Sequence, residues 1–282
     1  MRLGLFGINM YVGATDPSAA VRVAVAAEAA GWESVWTGEH YVLPNPRVPQ
    51  SLAPPDTPML DPFVSLALIA GRTTTLRLGT GVTVVPVHQP LILAKHVASL
   101  DRASGGRFLF GIGVGYLEPE LRALGATLAD RGARTTDAVA AMRALWSGAT
   151  AYEGPHVSFS AVRAEPRPRD PLGPPIHVGG HAPQSFRRAV AIGHGWYGFG
   201  LGLEATEKAI AGLRRAAGEQ ERPPELGELE ISVTPDPRLP LDAATIAAFA
   251  DLGVTRLIVN APREAQRDAD ALVRFVEDHA PA

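Results

Sequence analysis

The chain has no cysteine, which removes disulfides, thiolate metal sites and cysteine nucleophiles and leaves the redox compartment open, because absence fits either side. Lysine is nearly missing too, standing only at Lys95 and Lys208 beside abundant arginine, alanine, glycine and proline, a bias that looks like the codon usage of a GC-rich genome. No run of 18 apolar residues occurs, so no membrane-spanning helix is expected. Met1-Arg2-Leu3-Gly4-Leu5-Phe6 passes directly into a strand-like run without an apolar stretch and small-residue cleavage site, and a cytoplasmic protein is expected. Charges of both signs are interspersed and sum to -3 at pH 7. No polybasic face stands out, so neither nucleic acid nor a membrane is an expected partner.

What is present is an alternation. Across 282 residues, 46% of them hydrophobic, short apolar runs alternate with longer periodic segments eight times, the pattern of strands paired in parallel through helical crossovers. The strands are expected at Leu3–Asn9, Ser34–Thr37, Leu76–Val85, Arg107–Ile112, Ile176–Val178, Trp196–Phe199, Leu229–Thr234 and Arg256–Val259. Asp16-Pro17, Asp61-Pro62 and Gln89-Pro90 open helices with a capping side chain and a first-turn proline, and a last helix is expected over Arg263–His279. Leu43–Pro58 is too rich in proline for a helix or central strand and is expected to be a long surface loop, with a lid as its natural use. Ser147–Pro175, containing a plausible hairpin at Ala151–Val162, is expected as an insertion before the fifth strand. The expected fold is α/β, a single (β/α)₈ TIM barrel over residues 1–282; a doubly wound open sheet is the competing architecture, since periodicity does not establish closure.

In a closed barrel the loops after the strands carry the chemistry. After strand two comes Thr37-Gly38-Glu39-His40. Its imidazole suits proton transfer coupled to hydride transfer, or else His40 only anchors the loop. Strand three ends Gly79-Thr80-Gly81-Val82-Thr83, where glycine among β-branched residues marks either a bulge approached by a flat ring or a packing accommodation. After strand four lies Gly113-Val114-Gly115, and after strand five Gly179-Gly180-His181 leads into a helix start; both offer bare amides to an anion, or make ordinary tight turns. His177 and His181 straddle a strand end and do not make a metal pair; no metal is expected. His88 is placed at the border of the pocket, His96 on a helix, and His156, His194 and His279 in loops or at the surface. Arg131 and Arg134 either reach an acidic ligand tail or form a solvated, salt-bridged face. Trp146 and Trp196 are expected to pack.

As an ordered set, Ala30–Trp36, Glu39-His40, Leu78–Thr83, Gly105–Tyr116 with Leu117-Glu118-Pro119-Glu120, Arg131–Arg134 and Pro175–His181 resemble the luciferase-like monooxygenase superfamily, specifically its actinobacterial oxidoreductases that use the deazaflavin coenzyme F420. The resemblance implies a (β/α)₈ barrel, a homodimer, and a cis peptide at Gly81–Val82 supporting the deazaflavin ring together with Thr83. It implies Glu39 near that ring, His40 as proton donor or acceptor, and phosphate and tail contacts from Gly113, Val114 and Gly115 on one side and Gly179, Gly180 and His181 on the other. The sequence departs from luciferases, which have a flavin-phosphate arginine where Val114 stands and polar phosphate contacts where Gly180 and His181 stand. It also departs from relatives with Gly-Asp-Gly-Trp before strand six and an acid after Arg134, having His194 and Ala138 at those places. Hydride transfer between coenzyme F420 and a small organic substrate is therefore the leading expectation. An FMN-dependent monooxygenase and a non-catalytic cofactor-binding protein are the alternatives.

Overall fold

In the computed structural model, which describes residues 1–281, the eight expected strands close into a parallel barrel. They are β1 (Arg2–Phe6), β2 (Ser34–Thr37), β3 (Arg77–Thr80, resuming at Thr83–Val84), β4 (Phe108–Gly113), β5 (Ile176–Gly179), β6 (Gly195–Leu201), β7 (Glu230–Pro235) and β8 (Arg256–Asn260). Each pairs with its sequence neighbours, and β1 pairs with β8 from Arg2↔Arg256 to Phe6↔Asn260, which removes any free edge and decides against the open sheet. Ala282, the end of the expected domain, lies outside the described residues. Among the described residues one longer helix follows each strand, namely α1 (Pro17–Ala29), α2 (Pro62–Ala70), α3 (Pro90–Ala103), α4 (Arg131–Ser147), α5 (Pro183–Ile192), α6 (Leu203–Glu219), α7 (Ala243–Asp251) and α8 (Ala269–Asp278), with short helical turns at Val12–Thr15 and Glu118–Ala123 besides. Asp16, Asp61 and Gln89 each accept a first-turn backbone N–H, as their Asp-Pro and Gln-Pro pairs foretell.

The strand period of two divides the core in two layers. Leu3 and Leu5 of β1, Val35 of β2 and Leu257 and Val259 of β8 point outward into one large cluster with the helices. The alternate positions fill the interior with Trp36, Leu109, Tyr197 and Ile258, topped by Phe6, Val82 and Phe199. Trp36 needs the room: a Cβ on Gly79 would lie 2.4 Å from its ring, and one on Gly4 2.9 Å from its Nε1. Beneath it the fully buried Arg256 guanidinium binds Glu33 (2.8 and 2.9 Å), Glu230 (3.1 Å) and Ser232 (2.9 Å), closing the floor.

Three boundaries differ from expectation for local reasons. β1 stops at Phe6 rather than Asn9 because Gly7 turns at φ 80°, freeing Asn9 to donate to the Gly38 and Leu60 carbonyls and accept from the Gly38 N–H. β3 is interrupted at Gly81–Val82, whose peptide is cis. The last helix starts at Ala269, after a separate turn at Ala265–Arg267. The insertion is a small hairpin, Tyr152–Glu153 against Ser158–Phe159.

Glu28, at the end of α1, accepts the backbone N–H groups of Thr74, Thr75 and Leu76 at 2.5–2.8 Å and so fixes the approach to β3. Burial opposes its charge, but these donors outweigh burial and hold its pKa at about 2 against 4.5. Because the folded value is depressed, the stabilisation is complete above pH 4.5 and is lost as pH falls from there towards about 2. Urea unfolding across that window is expected to show this loss, and Glu28→Gln to flatten part of it while lowering stability at neutral pH.

Candidate active site at the strand exits

Two adjacent residues at the end of β2 turn to opposite sides. His40 reaches the β4 exit, where its Nδ1 lies 2.7 Å from Glu120 Oε2; the other carboxylate oxygen accepts the Tyr41 N–H at 2.9 Å. A carboxylate accepts and does not donate, so this contact places the proton on Nδ1 and leaves Nε2 facing away from Glu120. Nε2 has the Tyr116 hydroxyl 3.4 Å away, with the two rings edge to face at 5.8 Å. Both members of the pair are shielded, at 14% and 5% side-chain exposure. Glu39 turns the other way, to β3. Its carboxylate accepts the Val84 N–H at 2.5 Å and lies 3.2 Å from His88 Nε2 through either oxygen, so it clamps the resumption of β3. His88 thus packs against Glu39 at the resumption of β3.

Between these clamps lies the Gly81–Val82 peptide, tied to β2 by the Gly81 N–H to Thr37 carbonyl bond of 2.7 Å. A Cβ on Gly81 would meet the Tyr197 and Phe6 rings at 3.1 and 3.2 Å. The peptide is therefore a ledge backed by aromatic rings, Phe6 and Phe199 packing edge to face at 5.1 Å beside it. Val82 seats its methyl groups where other strands lack side chains. A Cβ on Gly113 would come within 2.5 Å of Val82 Cγ2, and one on Gly179 within 3.0 Å of its Cγ1. Gly113 and Gly179 are buried, while Val114, Gly115 and Gly180 are partly open and His181 is exposed. The glycines at the ends of β4 and β5 thus make space for Val82, a role the sequence reading did not contain.

Gly180 adopts φ 119°, and a Cβ there would lie 2.5 Å from Ser185 Oγ in the first turn of α5. Unlike α1, α2 and α3, α5 has no side-chain cap, Ala182 standing at that place; Pro183 carries no N–H and the N–H groups of Ser185 and Phe186 bond the Ala182 carbonyl at 2.8 and 3.2 Å, which leaves the Gln184 N–H as the first-turn donor outside these bonds. His181 Nε2 accepts the Phe199 N–H at 3.1 Å, so this nitrogen acts as an acceptor. Thr83 Oγ1 is buried with no hydrogen-bond partner. An aromatic-backed ledge beside a helix N-terminus without a side-chain cap fits a flat ring with an anionic tail. The ledge, Glu39 and His40 come together on β2 and β3; Gly113–Gly115 and Gly179–His181 form the next two exits.

The remaining candidates fall elsewhere. Arg134 pairs with Asp130 and Arg131 donates to the Leu128 carbonyl, a salt-bridged and self-bonded helix start. His177 is buried in the barrel floor without a hydrogen-bond partner, its pKa lowered by burial and by Arg256 and Arg77. His96 is exposed on α3, and Trp146 and Trp196 are buried packing residues. A cavity of about 430 Å³ lined by Arg77, Asp101, Arg169 and His194 lies at the opposite, N-terminal end of the strands, away from every exit residue described above. Among the described residues no helix is long and apolar enough to cross a membrane. Two residues of this region carry no signal in the sequence pattern: Glu120, within Leu117-Glu118-Pro119-Glu120, as the partner of His40, and Asn9, expected in a strand, as the tie to Gly38.

The sequence pattern of the luciferase-like monooxygenases matches residues 4–269. An uncharacterized protein of Mycobacterium tuberculosis is 31% identical over 268 residues, 91% of either chain. The oxygenase component of the flavin-dependent trigonelline monooxygenase of Acinetobacter baylyi is 32% identical over 169 residues, 59% of this chain and 44% of its own. The coenzyme F420-dependent tetrahydromethanopterin reductase of Methanopyrus kandleri superposes with a TM-score of 0.76 at 17% identity over 99% of both chains, a likeness of fold.

The Val82 seat makes a double-mutant prediction. Gly113→Ala forces a methyl group into Val82 and is expected to cost roughly 1–3 kcal/mol by overpacking. Adding Val82→Ala vacates the space and is expected to recover part of that loss, so the two changes combine non-additively in urea unfolding.

Proposed function

The chain belongs to the luciferase-like monooxygenase family, and from that premise we propose that it is a cytoplasmic, single-domain oxidoreductase moving a hydride between the deazaflavin coenzyme F420 and a small organic substrate. The observation that carries this reading is His40, anchored through Nδ1 by the shielded Glu120 carboxylate beside the Gly81–Val82 ledge. Gly81, Val82 and Thr83 would support the ring with Glu39 behind them, and Gly113, Val114, Gly115, Gly180 and His181 would line the tail, with Gly179 beneath. Bound there, the coenzyme supplies or accepts the hydride.

The chain's own residues do the rest. Glu120 fixes the tautomer and orientation of the imidazole, leaving Nε2 to take the proton from a substrate hydroxyl or return it to a substrate oxygen. Phe6, Tyr197 and Phe199 keep water from the inner side of the ledge. A second reading, an FMN-dependent monooxygenase, draws support from the flavin dependence of the Acinetobacter relative. Against it, Val114 offers no charge to a flavin phosphate at the β4 exit.

Association as a homodimer belongs to the same proposal. Val64 and Leu68, one turn apart on α2, and Ile92 on the neighbouring α3 are 46–58% exposed, an apolar face suited to a second copy. Leu68→Lys is expected to halve the apparent mass in size-exclusion chromatography.

For the chemistry, His40→Gln is expected to lower kcat by about 10²–10⁴-fold while coenzyme affinity changes little. Glu120→Gln, which accepts less well and leaves the ring less firmly oriented, is expected to cost about 10²-fold. Steady-state kinetics beside fluorescence titration separate the two effects; an unchanged kcat in His40→Gln would remove the histidine from the reaction.

A further inference from the structure

We propose that the cavity at the N-terminal end of the strands is a second binding site, for a small dipolar ligand with a carboxylate at one end and an ammonium group at the other, as in an ω-amino acid. The oxidoreductase reading makes no use of this cavity, and the proposal does not depend on that reading. The space amounts to about 430 Å³. Its walls include Arg77 at the start of β3, Asp101 in the last turn of α3, Arg169 on the return from the inserted hairpin, and His194 just before β6. In the barrel floor three guanidinium groups stand against two carboxylates. Arg256 takes Glu33 and Glu230, and Arg2 also takes Glu230. Arg77 lies in the field of these same four groups and is left over, with burial as the largest influence on it, lowering its pKa. Among the described residues its side chain enters no hydrogen bond or ion pair.

Asp101 is the opposite case. It is only 3% exposed, and its Oδ2 accepts the Arg169 N–H at 2.7 Å, yet among the described residues no cation pairs with it. Arg102 beside it donates instead to the Arg167 and Pro168 carbonyls, and the side chain of Arg169 lies over Gly106, where a Cβ would stand 3.0 Å from its Cδ. Burial raises the Asp101 pKa, and Asp170 adds to the rise. A buried charge is ordinarily paired. Here one of each sign faces the same cavity, and the two form no ion pair with each other. An ammonium group at Asp101 and a carboxylate at Arg77 would pair both at once, whereas a simple cation or anion satisfies one and leaves the other. His194 strengthens the carboxylate end. Its Nδ1 accepts the Ile176 N–H at 3.0 Å, so the neutral ring, which burial favours, keeps its proton on Nε2 as a donor. Arg77 and His194 also both bear on the buried His177, which sets them towards the inner wall. The exposed Asp170 and Glu225 add negative charge to the lining, which disfavours a bare anion.

The test is calorimetric titration of the full chain, at neutral pH and fixed ionic strength, with glycine, 4-aminobutanoate and 6-aminohexanoate. Each is compared with the carboxylate and the amine that lack one of its ends. At least one length is expected to bind about tenfold or more tightly than either of its halves, since each end contributes a charge-assisted hydrogen bond. Arg77→Gln is expected to reduce that amino acid to the affinity of the amine while leaving the amine itself unchanged. Asp101→Asn, which keeps an oxygen for the Arg169 N–H, is expected to reduce it to the affinity of the carboxylate. The comparison of ligands on the unaltered protein stands even where a variant fails to fold. No binding at any length, halves that bind as well as the whole, or an affinity that neither substitution moves in a folded variant would each overturn the proposal.

Discussion

Trp36 occupies the centre of the barrel, with the Arg256 guanidinium 5.8 Å below its ring and Tyr197 stacked 5.7 Å away. Tyr197 in turn binds Thr234 at 2.7 Å and backs Gly81. A closed barrel of eight strands has room for a few layers of inward side chains. Here bulky rings fill it against strand positions that carry none. The ledge at Gly81–Val82 is consequently supported from the floor upward: Glu33 and Glu230 hold Arg256, Arg256 lies beneath Trp36, and the ring column ends under the peptide where the candidate site begins.

On that support the end of β2 divides its two polar residues between neighbouring exits. Glu39 secures β3 just beyond the ledge, and His40 joins β4 through Glu120. One turn of chain thus couples the place where a flat ring would rest to the group that would handle a proton, and orientation, rather than an exotic side chain, is what the protein contributes. Asn9 reinforces the arrangement by tying the β1 exit to Gly38 and to the end of the proline-rich loop at Leu60.

Much of this was legible in the sequence because it is local. Caps such as Asp16-Pro17 and Asp61-Pro62, and the alternation of short apolar runs with helices, depend on neighbours within a few residues, so eight βα units could be read directly. Closure required the pairing of β1 with β8, more than 250 residues apart, and the Glu120 partner of His40 stands 80 residues away; neither separation leaves a periodic trace. The glycines at the ends of β4 and β5 were read by composition, yet their relation to Val82 is a three-dimensional packing fact. Asp137, beside Ala138, acts across the fold in the same way: its carboxylate accepts from the Tyr152 hydroxyl and the N–H groups of His156 and Val157 at 2.6–2.8 Å and so holds the inserted hairpin to α4.

The central claim is that this barrel mouth receives a deazaflavin. Its most direct test is fluorescence titration of the purified protein with oxidised coenzyme F420 and, separately, with FMN at physiological salt. The account requires saturable, tight binding of the deazaflavin with FMN much weaker. Preference for FMN would contradict it and favour the monooxygenase, and binding of neither would contradict the redox reading altogether.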